Sequence, residues 1–461
     1  MDSPYVKVKN GQSQYADIDL RMHKAVQARY VRTRGFEGKP YVEALPNIQH
    51  VSVNNESVMQ SAMELQYMSQ RQRDMAISRI NDFRAILPFY DDLAYEVRRT
   101  MLEAYSASDS TFRDRKRIAR SRGKEKNGFA LLGISGSGKT CSINATLEQY
   151  PQTIVHHING DVRIQIPYLY IPGTRYSSLH ELYKSIGQAV DLALDNGNHS
   201  YEEGIDNLHN HKKERVCIAR LLKNYHVGIV VLDEVQNLVS VRGNERPLDT
   251  MLSVCNESKT GIGLVGAEDA FYELFGMGES ARITDLIVAS NYCQNYKETD
   301  RIVKELFSLG YIDNFEPSKE IVSLFEDICG GIVEYLVRLY YYIVKEYVTN
   351  RKKSVDEAYV QKIADRDLRI FQKSVDRLLT STDLEQIQRR SVLSDMREYA
   401  RKQNKRSSVI CDVVSKLPYE KISGDKGAIM PKKESETPIN TEAVLYKLLA
   451  SERDDDEDEE H

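Results

Sequence analysis

One short stretch constrains the fold of this chain more than any other: residues 133–140 read Gly-Ile-Ser-Gly-Ser-Gly-Lys-Thr and fit G-x-x-x-x-G-K-S/T. The apolar run at 129–132 before it is typical of a buried strand, and residues 141–147 after it can open a helix. Glycines let backbone N–H groups turn inward around a phosphate, and a helix N-terminus adds partial positive charge. The stretch is therefore predicted to be a phosphate-binding loop between a strand and a helix.

The same loop predicts its ligands. Lys139 is expected to reach the outer phosphates of a nucleotide, and the Thr140 hydroxyl is expected to ligate Mg²⁺. The alternative is a Gly/Ser-rich turn that matches by chance, but the flanking strand and helix disfavour it. The expected nucleotide-binding residues of this P-loop are Gly133, Ser135, Gly136, Ser137, Gly138, Lys139, Thr140 and Cys141.

A second informative site is residues 227–234, which read Val-Gly-Ile-Val-Val-Leu-Asp-Glu. The apolar part predicts a buried parallel strand whose carboxyl end presents two acids at the rim of the sheet, where ligands bind. Asp233 is expected to hold Mg²⁺ through water, and Glu234 to orient or deprotonate the attacking water. Such a run is weak evidence alone, but about 90 residues after a P-loop it is strong.

The pattern of elements indicates the fold class. Strands separated by helices over 129–266 specify a doubly wound α/β sheet. Residues 196–210 are polar and predict a loop, and from about 284 onward the pattern is helical. Upstream, helical spacing at 56–105 follows an extended arm. The predicted strands are 129–132, 153–157, 166–171, 227–232 and 262–266.

We predict four regions along the chain. They are a partly helical N-terminal extension at 1–110, an α/β ATPase core at 111–290, a helical lid with a basic helix at 291–407, and a flexible linker with an acidic partner-binding tail at 408–461.

Length and composition set further limits. With 461 residues the chain is long enough for two or three domains. No apolar run approaches the ~20 residues of a membrane span, and residues 1–4 lack the order of a signal peptide. The six cysteines are scattered without a Cys-x-x-Cys pair, which indicates reduced thiols. We therefore expect a cytoplasmic protein without membrane contact.

The net charge of −5 conceals an uneven distribution. Residues 454–460 are seven consecutive acids, whereas residues 1–127 hold 22 Lys and Arg against 16 Asp and Glu. The densest basic run, 113–126, lies directly before the strand that leads into the P-loop. Contact with nucleic-acid phosphates is the functional interpretation, and a solvated linker helix is the alternative. The candidate DNA-binding residues in this run are Arg115, Lys116 and Arg117.

The P-loop, the Asp-Glu strand and the C-terminal helices together resemble an AAA+ ATPase. More narrowly, the chain is similar to the TnsC and TniB type of DNA transposition regulators over about residues 125–365. That resemblance implies ATP and Mg²⁺ as cofactors and subunits that assemble into rings or filaments on double-stranded DNA. It also implies two protein partners, a transposase and a target-selector protein. The matching segments are 165–171, 232–238, 263–266 and 329–332.

Family roles carry over to particular positions. Lys139 and Thr140 match the Walker A lysine and metal-ligand hydroxyl, and the acids at 233 and 234 match Walker B. Arg282 falls where the family has an arginine that reaches a neighbouring subunit's ATP, although a surface arginine is the alternative. Arg175 aligns with a DNA-contacting position, with a plain loop arginine as its alternative. The catalytic set implied is Lys139, Asp233, Glu234 and Arg282.

Two departures from the family pattern keep other functions open. Ala267 stands where the family has a polar sensor residue, and the basic residue of the lid is not obvious, since Arg338 lies a turn late. ATP binding is therefore better supported than fast turnover. The alternatives are a signalling or chaperone-type ATPase that acts on protein partners, and a scaffold that holds ATP without hydrolysing it. Histidines 199, 209 and 211 lie in a polar segment and are interpreted as solvated rather than metal-binding.

Overall fold

Apolar and β-branched stretches form eight strands in the described part of this computed structural model. They are β1 (Ala25–Gln27), β2 (Gly128–Leu132), β3 (Thr153–Ile158), β4 (Asp161–Gln165), β5 (Tyr168–Ile171), β6 (Ile229–Leu232), β7 (Gly261–Gly266) and β8 (Ile283–Val288). Five of them pair in parallel in the order β5-β6-β7-β2-β8. Every residue of β2, β6 and β7 is buried, as expected for a parallel sheet covered on both faces. The predicted α/β class is confirmed.

The structure describes residues 25–48, 50–108, 128–173, 176, 178–194, 199–208, 210–239, 247–267, 283–289, 296–313, 315–350 and 354–369. They belong to one unit, drawn from 1–270 and 282–369. The acidic tail and the part of the predicted lid and basic helix beyond residue 369 lie outside the described residues, and the four-region division stays a prediction. None of the described helices is long and apolar enough to cross a membrane.

Helices precede, separate and follow the strands along the described chain. The N-terminal ones are α1 (Pro40–Glu43), α2 (Ala62–Tyr67), α3 (Gln70–Ser78) and α4 (Tyr90–Ser108). Those of the core are α5 (Lys139–Leu147), α6 (Leu179–Leu194), α7 (Ser200–Asp206), α8 (His211–Asn224), α9 (Gln236–Val239) and α10 (Pro247–Ser258). The lid contains α11 (Tyr296–Phe307), α12 (Lys319–Cys329), α13 (Val333–Asn350) and α14 (Glu357–Ile363).

The strand predicted at 153–157 exists, but its place in the central sheet is wrong. It is β3, which pairs in parallel with β1 and antiparallel with β4 in a separate three-stranded sheet. The β3–β4 hairpin turns through Asn159 and Gly160, whose φ angles are 53° and 87°. Asn-Gly is the preferred dipeptide of such a two-residue turn. The Asn-Gly pair therefore indicates a hairpin, which the pattern of apolar residues by itself does not predict.

The loop predicted at 196–210 is also wrong, because α7 lies within it. The carboxylate of Asp191, on α6, accepts hydrogen bonds from the backbone N–H groups of Tyr201 at 2.9 Å and Glu202 at 3.0 Å. It thus accepts hydrogen bonds from backbone N–H groups in the first turn of the helix, which have no partner within the helix. The side chain of Ile205, on the same helix, is buried. The helix is stabilised from a neighbouring helix, which local sequence does not reveal.

The helical pattern expected from about 284 begins later than predicted. Residues 283–288 form β8, which pairs in parallel with β2, and Ile287 is buried at this edge. A short apolar run cannot be assigned to helix or strand by periodicity alone. The open edge of β2 decides the matter by providing hydrogen-bonding partners for a strand.

A buried polar network attaches the N-terminal segment to the core. The hydroxyl of Tyr30 lies 2.9 Å from His156 Nδ1, and His156 Nε2 lies 2.8 Å from Gln165 Oε1. The Gln165 amide donates to the Tyr41 carbonyl at 2.9 Å. Tyr41 in turn places its hydroxyl 2.9 Å from His226 Nε2 and stacks on that ring, with centroids 4.1 Å apart.

Acid is expected to weaken this attachment. Burial lowers the pKa of His226 to about 4 and lowers the pKa of His156 below its usual value. Above pH 6.5 both imidazoles are neutral in the folded and in the unfolded chain, so their contribution to the free energy of unfolding is complete. As the pH falls from about 6.5 toward 4, the unfolded chain binds protons that the folded chain does not, and the free energy of unfolding falls.

The variant His226→Asn removes this titratable group, and asparagine tolerates the φ of 45° found at this position. Between pH 7 and pH 5 the unmodified chain should lose about 1 kcal/mol more unfolding free energy than the variant, after allowance for partial exposure. Denaturant unfolding at the two pH values measures this difference. Equal losses in both proteins would contradict the assignment.

The lid also contacts the N-terminal segment. The backbone N–H of Gln60 donates to the Leu309 carbonyl at 2.9 Å, and the Tyr311 hydroxyl donates to the Val58 carbonyl at 2.8 Å. The Arg301 guanidinium, on α11, donates to the Ile86 carbonyl. The N-terminal helices therefore pack against the lid as well as the core.

Candidate functional site

The predicted phosphate loop joins β2 to α5. Gly138, the residue before the helix, has a φ of 88°, which favours glycine, and a Cβ there would stand 2.7 Å from Leu87 Cδ1. The first residue of the loop, Gly133, donates its N–H to the carbonyl of Gly266 at the end of β7, at 3.2 Å. The loop is therefore fixed to the carboxyl edge of the sheet, where parallel α/β folds bind ligands.

Lys139 turns its ammonium group into this loop. The side chain is buried, and Nζ donates to the carbonyl oxygens of Gly133 at 3.0 Å and Ile134 at 2.9 Å. A buried charge is tolerated only when it is paired or hydrogen-bonded, and the loop carbonyls supply these bonds. The cation is thus held beside the backbone that is predicted to surround phosphate.

Asp233 lies beside Thr140, as the two motifs predict. The Thr140 hydroxyl donates to Asp233 Oδ2 at 2.8 Å, and the Glu234 backbone N–H donates to Oδ1 at 2.8 Å. A third donor is the Tyr170 hydroxyl, at the end of β5, which lies 2.6 Å from Oδ2. Burial and the bond to Asp233 both raise the pKa of Tyr170, so its hydroxyl stays protonated and remains a donor. Asp233 is therefore oriented through both of its carboxylate oxygens.

Glu234 directly follows Asp233 and has a backbone φ of 48°. Such angles in residues other than glycine concentrate at functional sites. One oxygen of its carboxylate, Oε2, accepts a hydrogen bond from the side-chain amide of Gln236 on α9. The other end of that amide, Gln236 Oε1, accepts from the backbone N–H of Ala267 at 3.1 Å. The second acid of the motif is thus held by a neighbour that the sequence did not single out.

Lys139, Thr140, Glu234 and Gln236 border a cavity of about 460 Å³, within the usual range of ligand pockets, about 300–1,000 Å³. One wall is the P-loop with Glu234 and Gln236. The opposite walls come from regions with no motif, where the N-terminal segment and the lid meet the core. The N-terminal wall includes Asn81, Phe83, Arg84, Ala85, Leu87 and Tyr90, and the lid wall is Val333, Glu334, Val337 and Arg338.

The residues present fit a nucleotide with Mg²⁺. The donor set next to the cavity is a hydroxyl and a carboxylate, and Mg²⁺ prefers oxygen ligands. Lys139 supplies the cation for phosphate, on a loop whose Gly138 leaves no room for a side chain. Among the residues that the structure describes, no group of three or more His, Cys, Asp or Glu side chains could hold a different metal.

Several predicted site residues cannot be compared with this geometry. Arg282, Arg175, Arg115, Lys116 and Arg117 lie outside the described residues, as does His209. Their roles stay predictions. Arg338, the basic lid residue noted as a turn late, does line the cavity, where its guanidinium lies 2.5 Å from Glu334 Oε1.

The fold and site define a P-loop protein of the AAA+ fold: a parallel sheet with a phosphate loop, an acidic strand end and a helical lid. Residues 122–275 match the family model described as AAA domain. This match covers the loop and both acids of the site. The TnsC or TniB type is a finer assignment, and it is a proposal.

The chain is similar to several solved structures, including the following three. The Aeropyrum pernix ORC2 protein in its ADP form is 14% identical over 62% of this chain and 72% of that chain, with a TM-score of 0.41. The Aeropyrum pernix ORC1 protein in complex with DNA is 15% identical over 67% and 70%, with a TM-score of 0.39. The Thermotoga maritima RuvB Holliday junction branch migration motor is 12% identical over 67% and 73%, with a TM-score of 0.33. No curated protein sequence matches the chain significantly.

Sequence reasoning missed Tyr170 and Gln236. Each lies next to a predicted feature: Tyr170 is one residue from the end of β5, and Gln236 is two residues beyond Glu234. Side chains at the carboxyl ends of neighbouring parallel strands meet at one edge, which is the signal that points to Tyr170. Nothing local indicated the N-terminal wall, because those residues reach the cavity only through tertiary packing.

Proposed function

We propose that this chain is a magnesium-dependent ATPase. The observation that carries the proposal is that Lys139, Thr140 and Glu234 line one cavity, with Asp233 bonded to the Thr140 hydroxyl directly behind it. A phosphate cradle alone would support nucleotide binding. An additional carboxylate beside the metal donors supports hydrolysis, because it is placed to accept a proton from water.

Each residue has a separate task in this reaction. Lys139 and the loop amides bind and orient the phosphates, and Tyr170 keeps Asp233 in one orientation. When bound, Mg²⁺ supplies Lewis-acid stabilisation of the phosphate charge, held through Thr140 and Asp233. Glu234 orients the attacking water and takes its proton at the carboxylate, while the water oxygen bonds to the γ-phosphorus and the bond from that phosphorus to the leaving ADP oxygen breaks.

We further propose that the ATPase acts on double-stranded DNA as a regulator of transposition. The support is the resemblance to the TnsC and TniB type and the basic run at 113–126, which ends next to the P-loop strand. In this proposal subunits assemble on the duplex, Arg282 reaches a neighbouring subunit's ATP, and the assembly links a target-selector protein to the transposase. DNA contacts are to phosphates, so binding tolerates sequence.

Duplex DNA is therefore expected to stimulate ATP hydrolysis, and the stimulation should fall steeply with salt. Each neutralised phosphate contributes about −0.9 to the slope of log affinity against log salt. Replacing Arg115, Lys116 and Arg117 by alanine should reduce that slope by up to about 3. Binding measured by fluorescence anisotropy between 50 and 200 mM salt gives the slope.

The matched control replaces Lys212 and Lys213, exposed on α8, and should leave the slope unchanged. Equal hydrolysis with and without duplex, together with no DNA binding at low salt, would contradict a DNA-dependent role. That result would favour an ATPase that acts on protein partners.

A further inference from the structure

Gln236 connects two parts of the site, the segment that follows β6 and the segment that follows β7. Its amide nitrogen donates to Glu234 Oε2, and its amide oxygen accepts from the Ala267 backbone N–H at 3.1 Å. Glu234 follows β6, whereas Ala267 follows β7. The side chain therefore spans the carboxyl ends of two neighbouring strands, on the wall of the cavity.

The end of β7 is shaped to admit this amide. A Cβ at Gly266 would stand 2.7 Å from Gln236 Oε1 and 2.5 Å from Val235 Cγ2. Any other residue at this position would therefore displace the Gln236 amide. The carbonyl of the same Gly266 accepts from the P-loop N–H of Gly133 at 3.2 Å. The support for Glu234 is thus anchored on the backbone that also holds the start of the phosphate loop.

The chemistry of this connection requires a side chain that both donates and accepts. A carboxamide has two N–H donors and a carbonyl acceptor, whereas a carboxylate at neutral pH only accepts and an alkyl chain does neither. A neutral donor fixes one oxygen of Glu234 without adding charge. It leaves the second oxygen, Oε1, to accept from water.

We propose that Gln236 is the positioning residue of the Glu234 general base, an inference that rests on the proposed ATPase function. Gln236 acts through Glu234, because its amide sets the direction of that carboxylate. It also supplies a polar group at the end of β7, where the chain itself has Ala267. The polar contact between β7 and the base thus comes from α9 rather than from β7.

Replacing Gln236 is expected to slow the chemical step of ATP hydrolysis without weakening nucleotide binding. Gln236→Leu, which makes neither bond, should lower kcat for ATP hydrolysis by about 10–100-fold, the usual effect of removing a group that orients a catalytic ligand. Gln236→Glu keeps the shape but places a second carboxyl group against Glu234, where the two share one proton, and should lower kcat at least as far. The KM for ATP and the Kd of a fluorescent ATP analogue should stay within about twofold, because the phosphate loop is untouched.

A second readout does not depend on catalysis. The Ala267 amide loses its acceptor in Gln236→Leu and should exchange its hydrogen with solvent faster, measured by residue-resolved mass spectrometry. The matched control is Gln152→Leu, which removes a side-chain amide bonded to the Tyr168 carbonyl at 3.0 Å, away from the cavity. It should leave kcat and Ala267 exchange unchanged.

These experiments distinguish a failure of the Gln236 positioning role from a failure of the proposed ATPase function. Hydrolysis by the unmodified chain with an unchanged kcat in both Gln236 variants would overturn the positioning role alone. Parallel loss of kcat and nucleotide affinity would also overturn it, because Gln236 would then support the pocket as a whole. Nucleotide binding without hydrolysis by the unmodified chain, with or without duplex, would overturn the ATPase proposal and this inference with it.

Discussion

Replacing Glu234 by glutamine is expected to reduce ATP hydrolysis by about 10²–10⁴-fold while nucleotide binding is retained. Glutamine keeps the shape of the side chain but cannot accept a proton from the attacking water at neutral pH. The bond from Lys139 to the Gly133 carbonyl and the bond from Thr140 to Asp233 do not involve the Glu234 carboxylate, so the proposed phosphate and metal donors remain in place. Phosphate release and equilibrium binding, measured on the same preparation, separate the two effects.

This variant also distinguishes an enzyme from a scaffold. If hydrolysis drives disassembly, Glu234→Gln should persist in its assembled form with ATP, which size-exclusion chromatography and light scattering detect. A scaffold that holds ATP without turnover would disassemble at the same rate as the unmodified chain. Glu257→Gln on α10, an exposed glutamate outside the cavity, serves as the control and should change neither rate.

Replacing Lys139 by alanine has the second large expected effect, a loss of nucleotide affinity itself. Hydrogen bonds to charged groups contribute about 1.5–3 kcal/mol each, so removing the ammonium should raise the Kd for ATP by about 100-fold. Isothermal titration calorimetry measures the change. Hydrolysis should disappear with binding, in contrast to the Glu234 variant.

A stability measurement must accompany the Lys139 result, because this ammonium also donates to the carbonyls of Gly133 and Ile134. Lys213→Ala, on the exposed surface of α8, is the control for loss of a lysine. Retention of ATP affinity within twofold in a folded Lys139→Ala protein would contradict the assignment of this loop as the phosphate site.

Several elements form where local signals in the sequence place them. The lid helix α12 begins after Ser318, whose hydroxyl accepts from the Ile321 N–H at 3.3 Å, and it ends at Gly330 with a φ of 59°. The phosphate loop and the acidic strand were predicted for the same reason. In each case a few adjacent residues carry the physical requirement, whether a helix cap, a positive φ or a buried apolar strand.

The errors occurred where a distant segment decides the local structure. The helix at Ser200–Asp206 depends on the carboxylate of Asp191, and the strand at Ile283–Val288 depends on the open edge of β2. A window of sequence contains neither partner. The membership of β3 in a second sheet likewise depends on pairing with β1, more than 120 residues away.

For the site, the sequence alone determined which groups are available: a phosphate loop with Lys139 and Thr140, and two acids at a strand end. The spacing of the motif encodes them, because loop, strand and helix propensities are local properties of the chain. Only the tertiary structure decided which partners orient these groups. Tyr170 reaches Asp233 by strand pairing, and the walls of the cavity come together by helix packing, so these contacts are non-local. Gln236 is close to Glu234 in sequence, but its second bond, to Ala267, is also non-local.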